Sequence, residues 1–140
     1  MGGATAHRVA SRTLLVTALV DTSVLIDHLQ GHRDAARVLE EECRSGALHA
    51  SEVTRVEVLA GMRPGEEEPT TLLLSTLVWQ PLDAEVADLA GSIGRRWLPS
   101  HRGIDAADLV IAATAARLGA RLLTRNIRHF PMFPDLAAPY

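Results

Sequence analysis

Four residues combine side-chain type and setting in a way that suits chemistry: Asp21, Glu57, Asp108 and Asn126. Asp21 ends the aliphatic run Leu14–Val20, and Glu57 sits among Val56, Val58 and Leu59 in a helical pattern. Asp108 falls in the first turn of an Ala-rich helical segment, and Asn126, the only asparagine in the chain, follows the last aliphatic strand. Carboxylates gathered in one pocket repel, and their ionised forms need a compensating cation. Hard oxygen ligands without His or Cys suit Mg2+, with Mn2+ as a substitute, rather than zinc. The chemistry that matches is phosphodiester hydrolysis, in which a metal activates water and offsets charge on the phosphate. Each residue also has a purely structural role open to it. Asp21 is placed to cap a helix, Asp105 and Asp108 have capping-box spacing, Glu57 fits a solvated helix face, and Asn126 fits a turn.

Phosphate recognition calls for cations near the acids. All fourteen cationic residues are Arg, whose planar fork suits bidentate phosphate contacts, although a G- and C-rich genome would also favour Arg. Up to residue 90 there are seven Arg against fourteen acidic residues; from residue 91 there are seven Arg against three. Arg102, Arg125 and Arg128 lie in this basic part, two of them flanking Asn126, and are the candidate contacts to a nucleic-acid backbone. Their alternative is an ordinary solvated surface. The six histidines show no metal-ligand spacing, and His101 and His129 read as surface or phosphate contacts. Trp79 and Trp97 read as packing residues.

The elements that must position these groups alternate. Strands are expected at Leu14–Val20, Leu48–Ala50, Val78–Leu82 and Ala120–Thr124. Helices are expected at Val24–Leu29, Asp34–Arg44, Glu52–Met62, Thr70–Leu77, after Asp83 to about Leu98, and Asp105–Leu118 closed by Gly119. The tail, with Pro131, Pro134 and Pro139, reads as irregular or as an edge strand. This alternation implies an α/β fold with a parallel sheet covered on both faces, whose sites lie beyond the carboxyl ends of the strands. Asp21 and Asn126 both fall there.

Composition fits one globular domain: 47% hydrophobic, 22% charged and 4% aromatic residues, so the core is aliphatic. The net charge of −3 does not favour generic nucleic-acid binding. The single cysteine, Cys43, forms no internal disulfide and fits a reducing, cytoplasmic setting. No apolar run approaches the ~20 residues that span a bilayer, so no membrane association is expected. Residues 1–13 are expected to form a disordered extension, with the domain at 14–140.

The segment Val20-Asp21-Thr22-Ser23-Val24-Leu25-Ile26-Asp27 resembles the opening of PIN-domain nucleases, above all the VapC toxins of bacterial toxin–antitoxin pairs. Ser51–Gly61, Asp108–Ala115, and Leu122–Asn126 with His129-Phe130 resemble their second, third and fourth motifs in order. The resemblance implies a three-layer α/β/α fold with about four to five parallel strands. It also implies a Mg2+-dependent endoribonuclease toxin held in check by a VapB-like antitoxin, and a homodimer. Asp21, Glu57 and Asp108 then take the metal-binding places and Asn126 the fourth, often Asp in the family, which leaves three full carboxylates. Ser23 and Thr124 would be supporting hydroxyls, and Asp105 has no firm counterpart. The antitoxin would insert an Arg among the carboxylates and lay a helix in a groove walled by Val24, Leu25, Val58 and Leu59. The alternatives are a PIN domain that only binds RNA or protein, a DNA nuclease, and a haloacid dehalogenase-type phosphatase. The phosphatase needs an acid two residues after Asp21, where Ser23 stands.

Overall fold

The computed structural model describes residues 17–140. The expected extension at 1–13 and the start of the first strand at Leu14 lie outside the described residues. Four strands form the sheet: β1 (Ala18–Val20), β2 (Leu48–Ser51), β3 (Val78–Gln80) and β4 (Arg121–Leu123). Their order is β3-β2-β1-β4, and all three pairings are parallel. The helices are α1 (Thr22–Leu29), α2 (Arg33–Ser45), α3 (Glu52–Ala60), α4 (Glu67–Ser75), α5 (Ala84–Trp97) and α6 (Ala106–Leu118).

Strand alternation builds the layers. Ala18 and Val20 of β1, Leu48 and Ala50 of β2 and Leu123 of β4 face one way, onto Val24 and Leu25 of α1, Val38 and Leu39 of α2 and Leu73 and Leu74 of α4. Leu19 and Leu122 face the other way, onto Ile111, Ala112 and Ala115 of α6 and onto Phe130. A further cluster joins Val86 and Ala90 of α5 to Val110 and Ala113 of α6. Small residues on α6 allow this close approach. At Gly94 of α5, an added Cβ would stand 3.0 Å from Leu109 Cδ1.

β3 and β4 are shorter than their sequence patterns, and β2 runs one residue further, to Ser51. β3 stops at Gln80 because Pro81 cannot donate to a ladder. Beyond β4 the chain makes a 3₁₀ turn at Ile127–His129 and runs on without a further strand among the described residues. Of the two readings of the tail, the irregular one holds. α3 ends at Ala60 with Gly61 as its cap, short of the expected Met62. No helix among the described residues is long and apolar enough to cross a membrane.

Candidate functional site

Asp21 directly follows β1 and precedes α1, so the parallel sheet places it at the carboxyl edge. It occupies the N-cap position of α1, yet its side chain makes no capping bond. Instead Asp21 Oδ2 accepts from Ser23 Oγ at 2.8 Å and from Thr124 Oγ1 at 2.7 Å, across the β1–β4 junction. Only 3% of Asp21 is exposed. A nearly buried carboxylate that forgoes its cap and is steered by two hydroxyls is placed for something other than helix stability.

Glu57 and Asp108 arrive from two helices. Glu57 Oε1, on the second turn of α3, accepts from Thr22 Oγ1 at 2.5 Å. Asp108 opens α6 in a complete capping box: Asp105 Oδ1 accepts from the Asp108 N–H at 2.8 Å, and Asp108 Oδ2 accepts from the Asp105 N–H at 3.1 Å. The capping role foreseen for this pair is therefore real, and it coexists with a second one. Asp108 is 7% exposed and lines the same cleft, of about 470 Å³, as Asp21, Glu57, Asp105 and Asn126.

The carboxylates feel one another. Burial pushes the Glu57 carboxyl up, against the Thr22 hydrogen bond, and the charges of Asp105 and Asp21 push it further. Burial is also the main cause at Asp108, whose pKa rises to about 6. There the Asp105 N–H opposes the rise, the Asp105 charge adds to it and His129 draws it down.

In each of the three principal carboxylates one oxygen is held by protein donors. The other oxygens, Asp21 Oδ1, Glu57 Oε2 and Asp108 Oδ1, have no hydrogen-bond partner among the described residues. Asn126 is also without a side-chain cap bond; its N–H donates to Thr124 Oγ1 at 2.9 Å. Among the described residues no group of three or more His, Cys, Asp or Glu side chains is placed to hold a metal ion. Mg2+ keeps several of its waters and binds through one or two carboxylates together with substrate phosphates, so it requires no such group.

The supporting assignments divide. Ser23, Thr124 and Asp105 stand at or beneath the cleft, as expected. Arg125 lines it, but its guanidinium is paired with Asp27 at 2.8 Å. Arg102 and Arg128 are exposed and stand outside its lining. Three cleft residues escaped the sequence reading: Thr22, Ile26 and Asp27; His129, read as a surface or phosphate contact, also lines the cleft, its Nδ1 3.1 Å from Asp108 Oδ2. Asp27 was findable, because it lies one helical turn beyond Ser23 on the same face of α1. Of the expected groove walls, Val24 and Leu25 are buried in the core; Val58 is buried too but borders a small cavity with Ile26 and Leu29 of α1; Leu59 and its neighbour Val56 are exposed on α3.

A family model described as the PIN domain matches residues 18–135. A Mycobacterium tuberculosis protein named ribonuclease VapC19 is 46% identical over 123 residues, 87% of this chain and 98% of that protein. Ribonuclease VapC10 of the same organism is 39% identical over 122 residues, 87% and 92% of the two chains. A chain of a solved toxin–antitoxin complex from Klebsiella pneumoniae superposes with a TM-score of 0.75 at 29% identity, covering 89% of this chain and 98% of that one.

Proposed function

The chain belongs to the PIN-domain family, and from that premise we propose that it is the toxin of a type II toxin–antitoxin pair, a Mg2+-dependent endoribonuclease. The observation that carries the reading is the set of three carboxylates, each with one oxygen held and one uncommitted, in a single cleft at the carboxyl edge of the sheet. Both Mycobacterium tuberculosis relatives are named ribonucleases, and the Klebsiella neighbour was solved as a toxin–antitoxin complex.

Asp21, Glu57 and Asp108 would hold Mg2+, or Mn2+ in its place. When bound, the ion supplies positive charge at the scissile phosphate and makes a water more acidic. The chain's own residues do the positioning. Ser23 and Thr124 fix the Asp21 carboxylate, Thr22 fixes Glu57, and the capping box fixes Asp108. Asn126 offers a neutral amide in the fourth place, so it adds no negative charge to a cleft already lined by Asp21, Asp27, Glu57, Asp105 and Asp108. The partners are RNA, a VapB-like antitoxin and a second copy of the chain. Exposed Val56 and Leu59 flank Glu57 in sequence and offer the antitoxin an apolar foothold beside the cleft.

The test is cleavage of single-stranded RNA by the purified protein, free of antitoxin. Activity is expected with Mg2+ or Mn2+, none with EDTA, and a loss of at least about a hundredfold in Asp21→Asn with the fold retained. Cleavage that persists in EDTA would sink the metal-dependent reading. A wild-type protein that folds and binds RNA without cutting it would point to the binding-module alternative.

A further inference from the structure

Arg125 is the only arginine among the described residues that line the acidic cleft, and it is held from two directions. Its N–H donates to Ser23 Oγ at 3.2 Å, and Ser23 Oγ donates in turn to Asp21 Oδ2 at 2.8 Å. Its side chain donates from Nη1 to Asp27 Oδ2 at 2.8 Å. That same oxygen accepts the Tyr140 hydroxyl at 2.5 Å, and the guanidinium carbon lies 5.8 Å from the centre of the Tyr140 ring. The tyrosine ring leans on His32, 4.9 Å away, and packs against the core cluster of α1 and α2.

This arrangement is poorly explained as a device for stability. The Arg125 side chain is 51% exposed, and an ion pair of that kind contributes little. Asp27 is much less exposed, at 17%, and both its partners converge on one oxygen. What the contacts do accomplish is to fix a direction. A guanidinium carries five N–H donors, and Asp27 engages one of them, so a bidentate face remains for phosphate oxygens. Through Ser23 the same residue is tied to the carboxylate at the centre of the site.

We propose that Asp27 and Tyr140 are positioning residues that fix Arg125 at the mouth of the cleft as the anchor for a phosphate of the RNA substrate. The proposal rests on the ribonuclease reading. It assigns the cleft's substrate affinity to one arginine, and that arginine's geometry to a contact between α1 and the tail.

The experiment uses the full chain with Mg2+ and a fluorogenic single-stranded RNA, measuring kcat and KM across a range of KCl for the wild type, Arg125→Ala, Asp27→Asn and Tyr140→Phe. Arg125→Ala is expected to raise KM by about tenfold or more and to lower the salt slope of kcat/KM by about 0.7, the share of one phosphate contact on a single strand. Tyr140→Phe and Asp27→Asn are expected to raise KM roughly three- to tenfold with kcat within about twofold, as for a lost binding contact. Asp27→Asn is the sharper of the two. Removing a negative charge beside an anionic substrate should by charge alone lower KM, so a rise has the opposite sign. Tyr140→Phe keeps charge and shape and carries the test if the Asp27 variant does not fold. Unchanged or lowered KM in both variants overturns the proposal, and a lowered KM would mean that Asp27 masks Arg125. If the wild type cuts no RNA, the ribonuclease reading fails and takes the proposal with it; if it cuts and the variants match it, the proposal alone fails.

Discussion

Asp108 serves two structures at once, and the two make different demands. As a capping residue it needs only an acceptor oxygen for the Asp105 N–H, which a neutral amide also provides. As a cleft carboxylate it must ionise in a buried place, and burial has already moved its pKa from 3.8 to about 6. The folded metal-free protein therefore binds a proton here more tightly than the unfolded chain does. This group's contribution to stability is full below about pH 3.8 and is lost as pH rises through about 6. In EDTA, Asp108→Asn should be more stable than the wild type at pH 7.5, by on the order of 1–2 kcal/mol once screening by the open cleft is allowed for. The gap should close as pH falls toward 5. Thermal melts of both proteins across that range check it; a variant less stable than the wild type at every pH would show that the cap needs the charge. At this scale the sequence disclosed the residues whose partners are local or whose setting is unusual: the carboxylate at the end of an aliphatic run, the Asp105–Asp108 spacing and the lone Asn126. It did not disclose Tyr140 as the partner of Asp27, 113 positions away, because nothing in either neighbourhood encodes a contact made only by the closed fold.

Among the elements, the aliphatic runs and Gly and Pro punctuation marked all four strands and all six helices, with ends misplaced by a few residues where backbone pairing decides them. Leu82 and Thr124 belong to apolar or β-branched stretches, yet β3 ends before Pro81, which cannot donate to a ladder, and β4 ends at Leu123, before Thr124 turns its hydroxyl onto Asp21. Two walls of the expected antitoxin groove failed because of the sheet itself. A helical face that points outward in an isolated helix points inward when a sheet lies beneath it, as at Val24 and Leu25. Gly119 was read correctly because the reason is local. It ends α6 at φ 63°, ψ 29°, a left-handed conformation that turns the chain directly into β4 and so toward Thr124 and Asn126. An added Cβ there would meet no atom within 4 Å, so the cost of a side chain is confined to the backbone. Gly119→Ala is expected to destabilise the protein by about 1 kcal/mol, the left-handed penalty partly offset by a stiffer unfolded chain. Denaturant unfolding measures this, and RNA cleavage at saturating substrate should be unchanged. A loss of activity without loss of stability would mean that the turn transmits its geometry to the cleft.

Over the whole molecule, the acidic and basic parts of the chain meet at the cleft. Asp21 and Glu57 come from the part with an acidic excess, whereas Asp108, Arg125 and Asn126 come from the part with an excess of Arg. The fold thus collects carboxylates from both parts around the edge of one sheet, where burial first, and neighbouring carboxylates second, raise Glu57 and Asp108. Such a site attracts any cation that can reach it, and two kinds compete for the same oxygens: Mg2+ and a guanidinium. An antitoxin that places an Arg on the uncommitted oxygens of Asp21, Glu57 or Asp108 would gain a charge-assisted, bidentate contact and exclude the metal. An antitoxin that only covers Val56 and Leu59 would leave the carboxylates open. The two modes differ in their linkage to Mg2+. Where binding is mutually exclusive, apparent antitoxin affinity falls in proportion to metal occupancy, by about tenfold when Mg2+ stands at ten times its dissociation constant. Titrating antitoxin onto wild-type protein at several Mg2+ concentrations and constant ionic strength should show this decline. The same titration with Asp21→Asn should be flatter, because both competitors lose a ligand. Affinity independent of Mg2+ in the wild type would leave the α3 foothold as the inhibitory contact and remove the active-site arginine from the account.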